Sequence, residues 1–338
     1  LPNLSKILDA FPVCRVAVVG DLMLDEYLWG HIERISPEAP VPILSVTRRS
    51  STLGGAGNVA ENLRHWGVAV TVIGVVGSDE TGRQVCDLLE GHGVNAKGVL
   101  TEPLRKTTRK ARLMSVEHGQ QVFRLDEEST FTVKEEIEKG LIEAIQNLDR
   151  NIQAMVCSDY LKGVLSERVL AAVFEVSRAR GIRSIVAPKD SNAEKYRGAN
   201  ILMPNSAELR QMTAQRTNAN EDTWLNDSAR SLVEVLSLKA LLVTRGSEGM
   251  SLFENAAGAL RRIDIPTMAR SVYDVTGAGD TAIAAFSAAV ASGADLGGAA
   301  QLANLSAGIK VGKRGTACVD LEEIRASLKE VAARPGSV

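Results

Sequence analysis

Short runs of apolar residues alternate along the chain with stretches in which apolar residues recur every three or four positions. Arg15-Val-Ala-Val-Val-Gly20 is apolar almost throughout, as a parallel strand covered on both faces must be. Runs of the same kind fall at Ala69–Val76, Ala154–Ser158, Ser184–Ala187, Asn200–Met203 and Lys239–Thr244. Between them, helical periodicity covers Gly57–Trp66, Gly82–Gly91, Lys134–Leu148, Ser166–Arg180, Glu221–Leu236, Asp280–Ser292 and Gly297–Val311. This alternation predicts an α/β fold built on a mostly parallel, doubly wound sheet with helices on both faces. No repeat or low-complexity linker divides the 338 residues, so one domain over 1–338 is expected.

Two stretches break the pattern. Tyr27–Arg49 and Lys106–Leu125 interleave polar and apolar residues with no helix between, as strands with one wet face do. They predict a small antiparallel β lid across the edge of the main sheet, suited to a reaction that excludes water. In Val41-Pro-Ile-Leu-Ser-Val-Thr47 the lid carries alternating apolar side chains that a lone small sheet cannot bury. A homodimer through the lid strands is the expected consequence.

Composition narrows the classes. With 39 basic and 41 acidic residues, net charge −2, the balance argues against a generally basic nucleic-acid binder and gives no reason to invoke a membrane surface. The apolar stretches, Ala282–Ala291 among them, are too short to span a bilayer. Cys14, Cys86, Cys157 and Cys318 are scattered without a CxxC pair, the pattern of reduced thiols in a cytoplasmic protein.

The chemistry concentrates in Tyr273-Asp-Val-Thr-Gly-Ala-Gly-Asp280, which runs straight into a helical segment. Glycines before a helix let successive N–H groups converge on one point, and the helix dipole adds positive potential there. The result is an anion cradle made by Gly277, Ala278 and Gly279. Asp280 at its lip is placed either to accept a proton from an attacking hydroxyl or simply to cap the helix. Asn205 and Glu208, in Pro204-Asn-Ser-Ala-Glu208, offer hard oxygen ligands suited to Mg²⁺, yet the same spacing is that of a capping box. Gly308-Ile-Lys-Val-Gly312-Lys is not a Walker A loop: it is one residue short and lacks the Ser/Thr for Mg²⁺. Gly55-x-Gly57-x-x-Ala60, with Asp79 downstream, fits a loose dinucleotide fingerprint. That fingerprint requires a buried strand before it, and Arg48–Leu53 is polar.

The string Asp-x-Thr-Gly-Ala-Gly-Asp280 resembles the C-terminal signature of the ribokinase/PfkB family of carbohydrate kinases, and the resemblance runs over essentially the whole chain. It implies a ribokinase-like fold, ATP as phosphoryl donor, Mg²⁺, and Asp280 as catalytic base. Gly54-Gly-Ala-Gly-Asn58 resembles the family's glycine pair beside the sugar, and Asp25 falls where relatives set a carboxylate against sugar hydroxyls. Val243-Thr244-Arg-Gly246-Ser-Glu-Gly249 resembles the nucleotide loop, which assigns Thr244, Gly246 and Gly249 to the nucleotide. Asn304 aligns with the adenine-pocket region. The Asn205/Glu208 element is implied to order Mg²⁺, largely through water. Asp274 and Thr276 are implied to hold a monovalent cation such as K⁺.

Within the family, Ile35-Ser-Pro-Glu-Ala-Pro-Val-Pro42, Ser158-Asp-Tyr-Leu-Lys162-Gly-Val-Leu and Lys195-Tyr-Arg-Gly198 resemble the D-glycero-β-D-manno-heptose 7-phosphate 1-kinase branch, which serves lipopolysaccharide core synthesis. The expected reaction is phosphorylation of the anomeric hydroxyl of a heptose 7-phosphate. No His-x-Gly-His nucleotidyltransferase motif follows the kinase signature, so a kinase-only polypeptide is expected. Arg105, Lys106, Arg109, Lys110 and Arg112 crowd one lid strand and Arg124 ends the next. Lys106, Arg109, Arg124 and Lys162 are taken as the donors for a substrate phosphate. Strand alternation lets only some of the lid cations point inward. One departure stands out: this chain reads Ala187-Pro-Lys189 where close relatives show Asp-Pro-Lys. Lys189 remains in reach of a triphosphate. A kinase for another sugar, sugar phosphate or nucleoside, and a non-catalytic sugar or nucleotide sensor, are the alternatives.

Overall fold

The computed structural model describes residues 2–117, 119–213, 220–256, 259–269, 271–313 and 317–332. Helix α1 (Pro2–Asp9) leads into strand β1 (Arg15–Gly20), from which β2 (Leu22–Ile35) and β3 (Pro42–Gly55) rise before α2 (Ala56–His65). Strand β4 (Ala69–Gly77), α3 (Glu80–Gly91) and β5 (Asn95–Glu102) follow, then β6 (Thr108–Ser115) and β7 (Gln121–Glu127). The chain continues through α4 (Glu135–Gln146), β8 (Ala154–Ser158), α5 (Glu167–Arg180), β9 (Arg183–Ala187) and β10 (Ile201–Leu202). Helices α6 (Ser206–Thr213) and α7 (Glu221–Leu236) precede β11 (Ala240–Thr244), β12 (Met250–Ala256) and β13 (Ala259–Ile265). Helices α8 (Ala278–Ala291), α9 (Leu296–Val311) and α10 (Leu321–Ala332) complete the order.

Nine strands form the main sheet in the order β13-β12-β11-β10-β9-β8-β1-β4-β5. From β11 to β5 every neighbour is parallel; β12 runs against them, and β13, antiparallel to β12, restores the common direction at the edge. Alternation on β1 divides the core. Val16 and Val18 face a layer built on α2, α8 and α9, while Ala17 and Val19 face α4, α5 and α7. Both layers are almost wholly aliphatic, which is why the strands between them read as unbroken apolar runs.

The lid is a separate four-stranded sheet, β3-β2-β6-β7. It consists of two antiparallel hairpins joined along a parallel seam between β2 and β6. Its strands reach further than the sequence pattern predicts. Leu22–Leu24 and Leu53–Gly55 carry the lid's first hairpin into the core of the main domain. Gly54 and Gly55 are therefore the buried end of a strand rather than a loop. A Cβ on Gly54 would lie 2.8 Å from Oδ2 of Asp25, and Gly55, at φ +57°, leaves no room beside the Asp21 carbonyl. The dinucleotide fingerprint resolves here: a strand does precede α2, but it is a lid strand, exposed until Leu53. Asp79 is the cap of α3, accepting from the N–H groups of Gly82 (2.7 Å) and Thr107 (2.8 Å).

Candidate active site

Asp280 sits on the first turn of α8, behind an N-cap at Gly277 whose left-handed backbone (φ +75°) aims the helix start into the cleft under the lid. The capping alternative for Asp280 does not hold, because the cap position belongs to Gly277. The Asp280 carboxylate turns away from the helix end. Its Oδ1 accepts from the Tyr160 hydroxyl at 2.8 Å and its Oδ2 from Asn58 Nδ2 at 2.7 Å. Asn58 is itself held. Asn62, two turns into α2 and buried, donates to the Asn58 carbonyl (2.8 Å) and Oδ1 (3.0 Å), which fixes the amide with its Nδ2 toward Asp280. Burial at the foot of the cleft pushes the Asp280 pKa up to about 6. The bonds from Tyr160 and Asn58 work against that rise, as does Lys110, while Asp25 adds to it. A carboxylate so placed is poised near neutrality, as a general base should be.

The anion cradle is narrower than the three-residue string implies. The Ala278 N–H donates to the Val275 carbonyl at 3.2 Å, so it is already engaged. The first-turn donors at Gly279 and Asp280 have no intrahelical acceptor. A Cβ on Gly279 would meet no atom within 4 Å, so that face of the turn is open.

Two buried aspartates build the loop that delivers Tyr160, and neither stood out in the sequence. Asp21, just past β1, accepts from the backbone N–H groups of Tyr160 (2.7 Å), Lys162 (3.1 Å) and Val164 (3.2 Å). Burial and the nearby Asp159 raise its pKa, against those three bonds. Asp159 accepts from Lys195 Nζ (2.7 Å) and the Tyr196 hydroxyl (2.8 Å), which ties the Ser-Asp-Tyr segment to Lys-Tyr-Arg-Gly in the fold. Gly163 (φ +86°) passes against the Phe131 carbonyl where no side chain fits. Lys162, between these anchors, pairs with Glu128 at 2.6 Å.

On the lid, Asp25 is buried and pairs with Arg112 at 2.6 Å, the guanidinium lying over Tyr27. Lys110 shares this face, its ammonium 5.5 Å above the Tyr160 ring. Arg109 does not. Strand alternation turns it to the other face, where it pairs with Glu26 and with Glu127. Lys106 lies exposed ahead of β6, where its backbone N–H donates to Ser129. Arg109 is thus turned away from the face that carries Asp25, against the expectation that groups it with the substrate-phosphate donors; Lys110 and Arg112 are the β6 cations on that face. Arg105 is structural: buried, it pairs with Glu102 at 2.6 Å and donates to the carbonyls of Lys162 and Phe131. Arg124 stands opposite Arg112 in the β6–β7 register and pairs with Asp126 at 2.9 Å.

On the other side of the α8 start lies a cleft of about 350 Å³ lined by Thr244, Gly246, Gly249, Ala278, Gly279 and Asn304, with Val272, Val275 and Val311 on its apolar walls. Asn304 is buried and fixed by a 2.7 Å bond from Nδ2 to the Pro266 carbonyl. Lys189 and Asn205 are not among the lining residues. Asn205 and Glu208 form a reciprocal capping box, each backbone N–H bonded to the other's side chain at 2.8 Å. Lys189 Nζ pairs with the remaining Glu208 oxygen at 2.9 Å. Asp274 Oδ1 accepts from the Thr276 N–H at 2.9 Å. Behind this turn Lys310 is buried, its Cε 3.4 Å from where a Gly277 Cβ would stand.

A carboxylate at the start of a glycine-led helix, within the field of the lid residues Asp25 and Lys110 and beside an apolar cleft, defines a class. Residues 14–323 match the pfkB family of carbohydrate kinases, and the chain belongs to that family. Its relatives include the bifunctional protein HldE of Geotalea uraniireducens, 47% identical over 93% of this chain and 63% of that protein. HldE of Geobacter sulfurreducens is 43% identical over 96% of this chain and 65% of that protein. The chain thus spans under two thirds of the length of these relatives. Among solved structures, the fold is similar to Escherichia coli phosphofructokinase-2 in complex with potassium (TM-score 0.77, 19% identity, 94% of this chain and 99% of that one). It is also similar to Arabidopsis thaliana ribokinase complexed with ribose and ATP (TM-score 0.71, 21% identity, 94% of this chain and 99% of that one). No described helix is long and apolar enough to cross a membrane.

Proposed function

We propose that this protein transfers the γ-phosphoryl group of ATP to the anomeric hydroxyl of a heptose 7-phosphate. One observation carries the reading. Asp280 faces Asn58, Tyr160 and the lid, while the two residues before it, Ala278 and Gly279, line the nucleotide cleft. A hydroxyl on the lid side and a phosphate on the cleft side therefore meet at one helix start. The heptose phosphate is supported by the sequence resemblance to that kinase branch and by the HldE relatives.

In this mechanism Asp25, Gly54, Gly55 and Asn58 hold the sugar. Asp280 takes the proton of the attacking hydroxyl; each of its oxygens keeps a lone pair beyond the bond it already accepts. The N–H groups of Gly279 and Asp280, with the α8 dipole, stabilise charge on the phosphoryl group in flight. Thr244, Gly246, Gly249 and Asn304 hold the nucleotide. Mg²⁺, when bound, neutralises phosphate charge. Direct ligation by Asn205 and Glu208 does not fit their capping bonds, whereas contact through water does. Lys189 would have to leave Glu208 to reach a phosphate. At Asp274 and Thr276, K⁺ would share the field of the buried Lys310 ammonium.

We also propose that two copies associate through their lids, which leave Ile35, Val46, Phe123 and Leu125 exposed. The assay for the activity is ADP release from ATP with heptose 7-phosphate present and absent. Release stimulated by the sugar phosphate is expected, and release indifferent to it removes the proposal.

A further inference from the structure

Four cations gather on the cleft side of the lid, and three of them have partners. Arg112 is paired with Asp25, Arg124 with Asp126 and Lys162 with Glu128. Arg112 and Arg124 nevertheless stand directly opposite each other in the β6–β7 register, an arrangement that like charges disfavour. Lys110 is the fourth. It is half-buried, and among the described residues it makes no ion pair and no hydrogen bond. Burial lowers its pKa, Lys162 and Arg124 push the same way, and Asp25 and Asp126 oppose them. Asp25 and Asp126 stand opposite Lys110 on the two neighbouring strands, but each is paired with an arginine, so a half-buried ammonium with no ion pair of its own is a costly placement. It becomes favourable when an anion arrives that accepts several charge-assisted bonds at once.

The position of Lys110 relative to the base says which anion. Its ammonium lies over the ring of Tyr160, and the hydroxyl of that same tyrosine touches Asp280. One tyrosine side chain thus separates Lys110 from the reacting end of the cleft. The nucleotide cleft is on the far side of the α8 start, and Lys110 does not line it. An anion held at Lys110 therefore belongs to the sugar, at the end remote from the hydroxyl being phosphorylated.

We infer that Lys110 is the central ligand of a subsite for the distal phosphate of the sugar substrate, with Lys162 and Arg124 as flanking donors. The inference rests on the kinase reading and adds the residues that select a phosphorylated over an unphosphorylated sugar. Lys110→Met keeps the aliphatic body against Tyr160 and removes the charge. The expected result is a rise of about tenfold to a hundredfold in KM for heptose 7-phosphate, the size of one lost charge-assisted bond. KM for ATP should stay within about twofold. Inorganic phosphate should inhibit the wild type competitively against the sugar phosphate and inhibit the variant markedly less. If the variant instead loses turnover with KM for the sugar phosphate unchanged, or loses ATP affinity, Lys110 serves the base or the nucleotide and the subsite is overturned while the kinase reading stands. If the wild type releases no ADP with any sugar phosphate, both fall together.

Discussion

The hydroxyl of Tyr160 donates to Oδ1 of Asp280 from 2.8 Å across 120 residues of sequence, and its bond opposes the rise that burial imposes on the carboxylate. Removing that donor with Tyr160→Phe should raise the Asp280 pKa above its value near 6. The acid limb of the kcat profile should move to higher pH, with activity reduced near pH 6–7 and largely regained on the alkaline side. A pH–rate profile unchanged by Tyr160→Phe would mean that another group controls the acid limb.

Asp280→Asn removes the proton acceptor while keeping the side chain's shape. Turnover should fall by about 10²–10⁴-fold, the usual weight of general-base help. Stability should move the other way. The folded-state pKa of Asp280 lies above its ordinary value of 3.8, so its contribution to stability is fully present below that value and is lost as pH rises through about 6. At pH 7–8 the uncharged variant should melt no lower than the wild type. Thermal melts at pH 5 and pH 8 check this: a large drop in Tm with turnover intact would return Asp280 to a structural role.

Gly279 faces open space, and a Cβ there meets nothing within 4 Å. Gly279→Leu should therefore fold normally but fill the approach to the first-turn N–H groups. Expected are weakened ATP binding by calorimetry and a loss of roughly 10²–10³-fold in kcat, the scale of one lost oxyanion donor. Full ATP affinity in the folded variant would show that phosphate does not approach this turn.

The lid association is checked by light scattering. The 36.1 kDa chain should scatter as a particle of twice that mass at micromolar concentration. Phe123→Arg, on a side chain that is 58% exposed, should shift the population toward monomer. A wild-type particle of single-chain mass removes the dimer.

Strands β1, β4, β8 and β11 were legible because helices cover both their faces, leaving no polar position to confuse the pattern. Strand β5, at one edge of the sheet, and β13, at the other, are interrupted by polar and charged residues and gave no such run. The glycine string before Asp280 could be read because a backbone conformation leaves its mark on residue type. Which lid cations face the cleft depended on register. Lys110 and Arg109 are neighbours in sequence and fall on opposite faces, and only the pairing of β6 with β2 decides between them. Asp21 was invisible for a related reason: an aspartate after a strand does not announce that it gathers three N–H groups from about 140 residues downstream.

Strand β3 passes without a break from the lid into α2, and it hydrogen-bonds along its length to β2, which carries Asp25. The same continuous backbone that leaves the lid delivers Asn58 to Asp280 two residues after the helix begins. The lid is thus a lever whose fulcrum lies at Gly55, against the Asp21 carbonyl. A tilt of its outer end would be carried along that backbone to the Asn58 amide, so under the proposed mechanism filling the space beneath the lid and aligning Asp280 would be one mechanical event rather than two.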